Sequence, residues 1–159
     1  MATYSEDVSV RRGLVASVDP RQVSRYLDTT SPAGVVVGPG TVAQHCDVPA
    51  SAAAVAKAVG VLVYDPFVVS PSSSSYDYTA ADIATVIEEG EVWCVAEAGL
   101  AIGDQPYARF ATGDGGTQKG ALRADADTAT AALLPNARVI AVTTGLAKIS
   151  VNLPHGAAA

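Results

Sequence analysis

Glu88 and Glu89 have the residue type of an acid–base pair, since two carboxyl groups can act as general acid and general base. Adjacent residues of a strand point to opposite faces, so these two carboxylates cannot meet one substrate. His45 stands directly before Cys46. Adjacency in sequence does not place an imidazole against a thiol as a nucleophile and its base require. Neither pair predicts a catalytic centre.

Two loops have compositions that could bind ions. The run GDGG at 113–116 is similar to a phosphate-binding loop, but it lacks the Lys and Ser/Thr of that motif, and no helix is predicted after it. It is therefore interpreted as a surface turn. Asp114, Asp125 and Asp127 could supply carboxylates to calcium, although the EF-hand ligand series is absent. The alternative is a set of solvated loop carboxylates, and the sequence predicts no catalytic, cofactor-binding or metal site.

The two cysteines, Cys46 and Cys94, form no CxxC pair, and His45 and His155 do not complete a zinc spacing with them. We expect both thiols to be buried and reduced, where cysteine behaves as a small hydrophobic residue. A disulfide between them stays open as an alternative, because it needs a geometry that sequence does not show.

Composition indicates a small protein with few charges. The 159 residues suit one domain, or one domain with an arm. Only 16% of residues are charged, below the ~25% of an average domain, and 6% are aromatic. The net charge of −6 argues against direct binding of nucleic acid, which needs clustered Lys and Arg. No apolar run approaches the ~18 residues that span a bilayer, so no membrane segment is expected.

The elements that must position these residues are mostly strands. Residues 1–32 are polar, and VDPRQVSRYLD allows either a short helix beginning at Asp19 or an extended arm. PASAAAVAKA predicts one or two helical turns. Strands are predicted in AGVVVGP, VGVLVY, DIATVI (ending at a Glu-Glu-Gly turn), EVWCVAE and QPYARF, and a closing hairpin in 138–142 and 146–153.

The stretch from Gly90 to Phe110 is predicted to be a β-hairpin, with two apolar runs flanking Gly-Asp. Trp93 is expected to anchor the core, so Trp93→Ala should cost on the order of 3–5 kcal/mol. The core candidates are Trp93, Val95, Tyr107 and Phe110. Short strands with Gly and Pro turns predict an all-β fold, a small sandwich or barrel of β-tulip or jelly-roll type.

Five motifs in a fixed order carry a family resemblance. They lie at Gly60–Pro66, Gly90–Glu97, Gly103–Arg109, Leu134–Arg138 and Gly145–Pro154. Together they resemble the cement, or head decoration, proteins of tailed bacteriophage capsids. Two departures are Cys94, where a second Val is usual, and Pro106, which replaces the Val before Tyr107. Since proline lacks an amide donor, Pro106 suggests an edge position or a bulge.

The resemblance implies a division of the chain and a structural role. Residues 1–32 would form an irregular N-terminal arm that could dock on the capsid, 33–154 a β-rich cement domain, and 155–159 a disordered tail. The family implies a non-enzymatic virion protein on the outer capsid surface, present in the host cytoplasm during assembly. Its partners would be the major capsid protein and itself, as a homotrimer, with no cofactor, no nucleic acid and no membrane.

Two other functions are open from the residues. A carbohydrate-binding or adhesive β module would need exposed aromatic rings, and Tyr76 and Tyr78 are the candidates. A trimeric β-barrel hydrolase with a site shared between subunits would need convergent polar residues with shifted pKa values. No such set stands out in the sequence.

Overall fold

A computed structural model of the chain describes residues 11–67, 77–113 and 116–153. Within these ranges the fold is almost entirely β. The strands are β1 (Arg21–Leu27), β2 (Ser31–Pro32), β3 (Val36–Pro39), β4 (His45–Asp47), β5 (Gly60–Leu62), β6 (Asp77–Tyr78), β7 (Ile83–Val95), β8 (Tyr107–Arg109), β9 (Leu122–Arg123), β10 (Ala131–Leu133), β11 (Ala137–Thr143) and β12 (Leu146–Asn152), with helix α1 at Ala52–Ala56.

The main sheet closes on itself as a small barrel. Its order is β1-β4-β3-β5-β7-β12-β11, and β1 also pairs with β7. Strands β1, β4, β3, β5 and β7 therefore form a ring, and β12 and β11 extend it beyond β7. A second sheet has the order β10-β8-β9, and β2 pairs with β6. The predicted all-β, barrel-like fold is confirmed.

Two apolar clusters fill the interior, and the central strands separate them. Val37 and Leu62 belong to one cluster, and Val36 and Val61 to the other. Successive side chains of a strand point to opposite faces, so β3 and β5 need apolar residues at every position. This explains their uninterrupted Val-rich sequences. The predicted buried strand at β5 and the short helix at α1 are both confirmed.

Strand β7 is the longest element, and it shows that the turn predicted at Glu88, Glu89 and Gly90 is wrong. It runs for 13 residues straight through Glu88, Glu89 and Gly90, where the sequence predicted a turn. Gly90 has a φ of +132°, and a Cβ there would lie 2.5 Å from Ser17 Oγ. Glycine at position 90 therefore lets Ser17 pack closely against the backbone of β7, and it does not end the strand.

The predicted 90–110 hairpin does not form. The second half of β7 pairs with β12, whereas β8 pairs with β9 and β10 in the other sheet. The sequence predicted neither β9 nor β10. Pro106 lies immediately before β8, and although it has no N–H its carbonyl accepts the Leu134 N–H at 2.9 Å, so β8 can be the central strand of its sheet. The closing hairpin of β11 and β12 is confirmed.

The first 32 residues include a strand of the barrel. Arg21–Leu27, for which a helix or an extended arm was predicted, is β1 and pairs with both β4 and β7. Its alternating exposure explains this, because Arg21, Val23 and Arg25 are half-buried while Gln22, Ser24 and Tyr26 are exposed. Residues 13–16 also bond to β7, since the Trp93 N–H donates to the Leu14 carbonyl at 2.9 Å and the Ala16 N–H donates to the Glu91 carbonyl at 2.8 Å. Residues 1–10 and the predicted tail at 155–159 lie outside the described residues.

Candidate functional site: ion pairs and exposed surface

Glu88 and Glu89 point to opposite faces, as predicted. Glu88 is buried, and its carboxylate accepts hydrogen bonds from Arg21 Nε at 3.1 Å and from Arg25 Nη2 at 3.2 Å. Glu89 is exposed. The glutamate suggested as half of an acid–base pair is therefore engaged in a structural ion pair that ties β7 to β1.

His45 contacts an aspartate and not its neighbour in sequence. Its Nδ1 lies 2.6 Å from Asp28 Oδ1, while Asp28 Oδ2 accepts the Thr41 backbone N–H at 2.6 Å. The hydrogen bonds from His45 and Thr41 outweigh the effect of burial and lower the pKa of Asp28. Because Asp28 lies between His45 and Thr41, the imidazole does not link a carboxylate to a hydroxyl as it does in a catalytic triad. The arrangement fastens the β3–β4 loop to β1.

Both cysteines are buried, and neither forms a disulfide, as expected. Burial raises the pKa of the Cys46 thiol to about 12 and raises that of Cys94 further. A thiol with a raised pKa is a poor nucleophile at neutral pH, because the thiolate is the reactive form. These side chains act as core residues.

The most strongly coupled charges lie around Arg109, which sequence reasoning did not single out. Arg109 is 0% exposed. Its Nε and Nη2 donate to the two carboxylate oxygens of Glu97 at 2.5 and 2.8 Å, and Nη2 also donates to Asp127 at 2.7 Å. Nη1 donates to the Ala111 carbonyl and to Thr130 Oγ1, each at 3.0 Å. These bonds raise the pKa of Arg109, although burial opposes them.

Arg123 completes this group, which we call the arginine cluster: Glu97, Arg109, Arg123, Asp125 and Asp127. Arg123 Nη1 lies 2.8 Å from Glu97 and 2.9 Å from Asp127, and Nη2 lies 2.6 Å from Asp125. Hydrogen bonds from Arg109 and Arg123 lower the pKa values of Asp127 and Asp125. The two aspartates proposed as calcium ligands thus bind arginines, and Asp114 lies outside the described residues.

No single-sequence signal pairs Glu97 with Arg109, because the contact joins the segment after β7 to a strand of the other sheet. The one hint was Arg109 as the last residue of a resemblance motif. Across residues 11–67, 77–113 and 116–153, no group of three His, Cys, Asp or Glu side chains is arranged to hold a metal ion. In the same ranges no helix has the length and apolar content to cross a bilayer.

The four predicted core residues lie at the margins of the core. Trp93, Val95, Tyr107 and Phe110 are each half-buried. Val95 and Phe110 pack against the two apolar clusters from outside. The alternation of β7 instead buries Val92 and Cys94 completely. Trp93 points to the other face, next to Lys148 of β12.

The aromatic platform suggested for carbohydrate binding is not formed by Tyr78. That ring is 0% exposed, and its hydroxyl donates to the Val63 carbonyl at 2.5 Å. Burial raises the pKa of Tyr78. Tyr76 lies outside the described residues.

Two sets of exposed side chains stand out. The first, the barrel-end patch, consists of Tyr26, Val42, His45 and Ile83. Tyr26 pairs with Ile83 on one side and with His45 on the other, and the Tyr26 and His45 rings lie 5.4 Å apart. Three further exposed apolar side chains, Ile102, Leu133 and Val142, are 72%, 44% and 41% exposed, and we refer to them together as the loop patch. Large exposed apolar side chains in groups commonly mark interaction surfaces.

The described surface also has two open cavities. One of about 210 Å³ includes Asp28, Pro39, Thr41 and Asp47 in its lining. The other, of about 450 Å³, is lined by residues including Gln105, Arg138 and Asn152. Neither lining contains a nucleophile paired with a base. In the described part of the chain, surfaces for protein contact are therefore better developed than any site for chemistry.

Comparisons with known proteins agree with this geometry. The solved structure entitled "The capsid of Myoviridae Phage XM1" contains a chain with the same fold: the TM-score is 0.71, with 15% identity and 90% of each chain covered. A comparison with curated protein sequences found no match. The family model described as "Structural cement protein (E217 gp24/Pam3 gp6)" matches residues 3–152. Because that match spans nearly the whole chain, the chain belongs to the phage structural cement protein family and is a structural protein of the phage capsid.

Proposed function

We propose that this cement protein binds the outer surface of the phage head and stabilises the junctions between major capsid proteins. The family match over residues 3–152 carries the proposal. A protein that binds only the assembled junction stabilises the shell by mass action. Many copies, each burying roughly 1,000 Å² or more, would resist the pressure of packaged DNA.

We further propose that the protein acts without catalysis and without direct contact to nucleic acid. The groups that could react are held in structural pairs: Glu88 with Arg21 and Arg25, and His45 with Asp28. Both thiols have raised pKa values. The net charge of −6 opposes binding to phosphate backbones.

The active form is proposed to be a homotrimer. The resemblance to capsid cement proteins supports this proposal, and a closed cyclic assembly would need two different, complementary surfaces on each copy. Light scattering of the purified protein should give about three times the chain mass of 16.0 kDa. A monomer at every concentration tested would contradict the trimer and leave capsid binding open.

Addition of the protein to empty, expanded shells of the cognate major capsid protein tests the main proposal. Cryo-electron microscopy should show added density outside the shell, and the melting temperature of the shell should rise with protein concentration until the sites are full. Shells that gain no density and melt at an unchanged temperature would contradict the proposal.

A further inference from the structure

The barrel-end patch has a fixed geometry set by strand register. Residues paired across neighbouring strands lie on the same face with their Cβ atoms about 5 Å apart. Ile83, Tyr26 and His45 therefore form one row across β7, β1 and β4. Tyr26 is 43% exposed and Ile83 is 54% exposed. Val42, 57% exposed, lies in the turn just before β4 and accepts the His45 backbone N–H through its carbonyl.

Backbone hydrogen bonds hold this row in place. The Tyr26 N–H donates to the Gln44 carbonyl at 3.1 Å, and the Leu27 N–H donates to the Asp82 carbonyl at 3.0 Å. Asp28 binds both His45 and the Thr41 backbone. A surface that is already ordered loses little conformational entropy on binding, which favours its use as a contact.

Three of the four charged residues within two positions of a patch residue in the chain are acidic. Asp28, Asp47 and Asp82 each lie within two positions of a patch residue in the chain. Strand β1 carries two cations, Arg21 and Arg25, whose side chains are 37% and 15% exposed, and both bind the buried Glu88, at 3.1 and 3.2 Å. The patch is therefore an apolar surface with an acidic margin. A symmetric contact between two copies through this patch would bring like charges together, which disfavours that pairing.

We infer that the barrel-end patch is the capsid-docking surface and that its partner is an apolar area of the major capsid protein bordered by Lys and Arg. This inference rests on the proposed function and extends it to particular residues. Apolar burial would supply affinity, and the acidic margin would select the basic border and speed the encounter.

Paired variants test the apolar row. Tyr26→Thr with Ile83→Thr removes both exposed side chains and keeps residues that favour strands. Ile102→Thr with Val142→Thr makes the matching change in the loop patch. We expect the first pair to weaken binding to expanded shells at least about tenfold, with unchanged oligomeric mass and unfolding midpoint. The second pair should bind shells like the unmodified protein.

Several outcomes would overturn the inference. Wild-type affinity in the Tyr26/Ile83 variant would do so, and so would loss of the oligomer without loss of capsid binding, which would make the patch a contact between copies. If the unmodified protein fails to bind shells, the proposed function itself fails. If it binds and only the Ile102/Val142 variant is impaired, the function stands and the docking surface has been assigned to the wrong patch.

The acidic margin gives an independent test that holds even if the threonine variant does not fold. Asp47→Asn with Asp82→Asn keeps the oxygens that accept hydrogen bonds from Val48 and Thr79 and removes the charges. The affinity of the unmodified protein for shells should fall between about 0.05 and 0.5 M NaCl, and this variant should show a smaller fall. Glu89→Gln with Glu91→Gln is the control, and its affinity for shells should fall with salt as much as that of the unmodified protein. An equal fall in affinity with salt for all three proteins would contradict an acidic docking margin.

Discussion

At the scale of single residues, Arg109 ties the three-stranded sheet to the segment that follows β7. Its buried guanidinium uses all of its donor groups on Glu97, Asp127, Thr130 and the Ala111 carbonyl. A buried charge persists only when it is paired and hydrogen-bonded. The arginine cluster therefore fixes the three-stranded sheet against the end of β7.

Replacing Arg109 should be strongly destabilising. Arg109→Met leaves Glu97 and Asp127 without their partner, and breaking a buried ion pair in this way costs about 3–5 kcal/mol. Arg138→Met, which removes an exposed guanidinium that donates to the Gly103 carbonyl, should cost less than about 1 kcal/mol. Urea unfolding of both variants measures the difference. Equal losses would show that the cluster contributes no more than a surface contact.

The arginine cluster should also make stability depend on pH. The hydrogen bond from Arg109 lowers the pKa of Asp127 in the folded protein, whereas an unfolded aspartate has a pKa of about 3.9. Between these two pKa values the unfolded chain binds more protons than the folded protein. The stabilisation is complete above about pH 4 and is lost as pH falls through the lower, folded pKa.

Asp127→Asn should therefore reduce the acid dependence. Unfolding free energies measured by urea between about pH 6 and pH 2 should fall less steeply for this variant than for the unmodified protein. Asp19→Asn, at an exposed aspartate in the segment before β1, is the control. Parallel curves for all three proteins would contradict a role for Asp127 in acid sensitivity.

Trp93 should contribute less to stability than a fully buried leucine. It is half-buried, while Leu122 is 0% exposed within an apolar cluster. Leu122→Ala should cost about 2–5 kcal/mol, and Trp93→Ala should cost less because its ring leaves a smaller buried cavity. Chemical denaturation compares the two directly. A larger loss for Trp93→Ala would restore the sequence-based view that Trp93 anchors the core.

At the scale of elements, the turn before β10 is strained. Asp127, Thr128 and Ala129 have φ values of +42°, +53° and +67°, so three consecutive non-glycine residues adopt the left-handed conformation. Each such residue costs roughly 1–2 kcal/mol. The bonds from Arg109 and Arg123 to Asp127 hold the turn in this form. The tertiary contact thus overrides the local preference of the backbone.

Glycine in this turn should relieve the strain. Ala129→Gly is expected to raise stability by up to about 1 kcal/mol, because glycine adopts positive φ without a steric cost. Ala126→Gly, at an exposed residue of the same loop without positive φ, should lower stability slightly. Thermal unfolding of the two variants should move in opposite directions. A loss of stability in both would show that the left-handed turn is not strained.

At the scale of the whole molecule, β1 closes the barrel. It pairs with β4 on one side and with the first half of β7 on the other, and Arg21 and Arg25 bind the buried Glu88. Because β1 completes the ring, the central strands cannot be buried on both faces until β1 has joined the sheet.

Truncations should test whether β1 is needed for folding. Removal of residues 1–32 deletes β1 and leaves Glu88 without its arginines, so we expect loss of cooperative unfolding. Removal of residues 1–10 leaves every described strand in place and should keep it. Circular dichroism during heating distinguishes the two proteins. Cooperative unfolding of the chain that lacks residues 1–32, at the wild-type midpoint, would contradict the role of β1.

The sequence alone determined the local properties of this protein. Val-rich runs bounded by Gly and Pro predicted β3 as a strand and β5 as a buried strand, Thr-Thr-Gly predicted the β11–β12 turn, and the alanine run predicted α1. The motif order also indicated the family. These features depend on alternation, turn residues and propensity, which act over a few neighbouring positions.

Only the tertiary structure decided which strands pair and which side chains are covered. Gly90 was interpreted as a turn because glycine usually interrupts a strand, but packing against Ser17 and Pro20 keeps β7 continuous. Trp93 is partly exposed and Arg109 is buried, the reverse of what hydrophobicity alone predicts. Both outcomes follow from register and from ion pairs between distant residues. Alternation fixes that neighbouring side chains face opposite ways, whereas contacts far apart in the chain decide which face is buried.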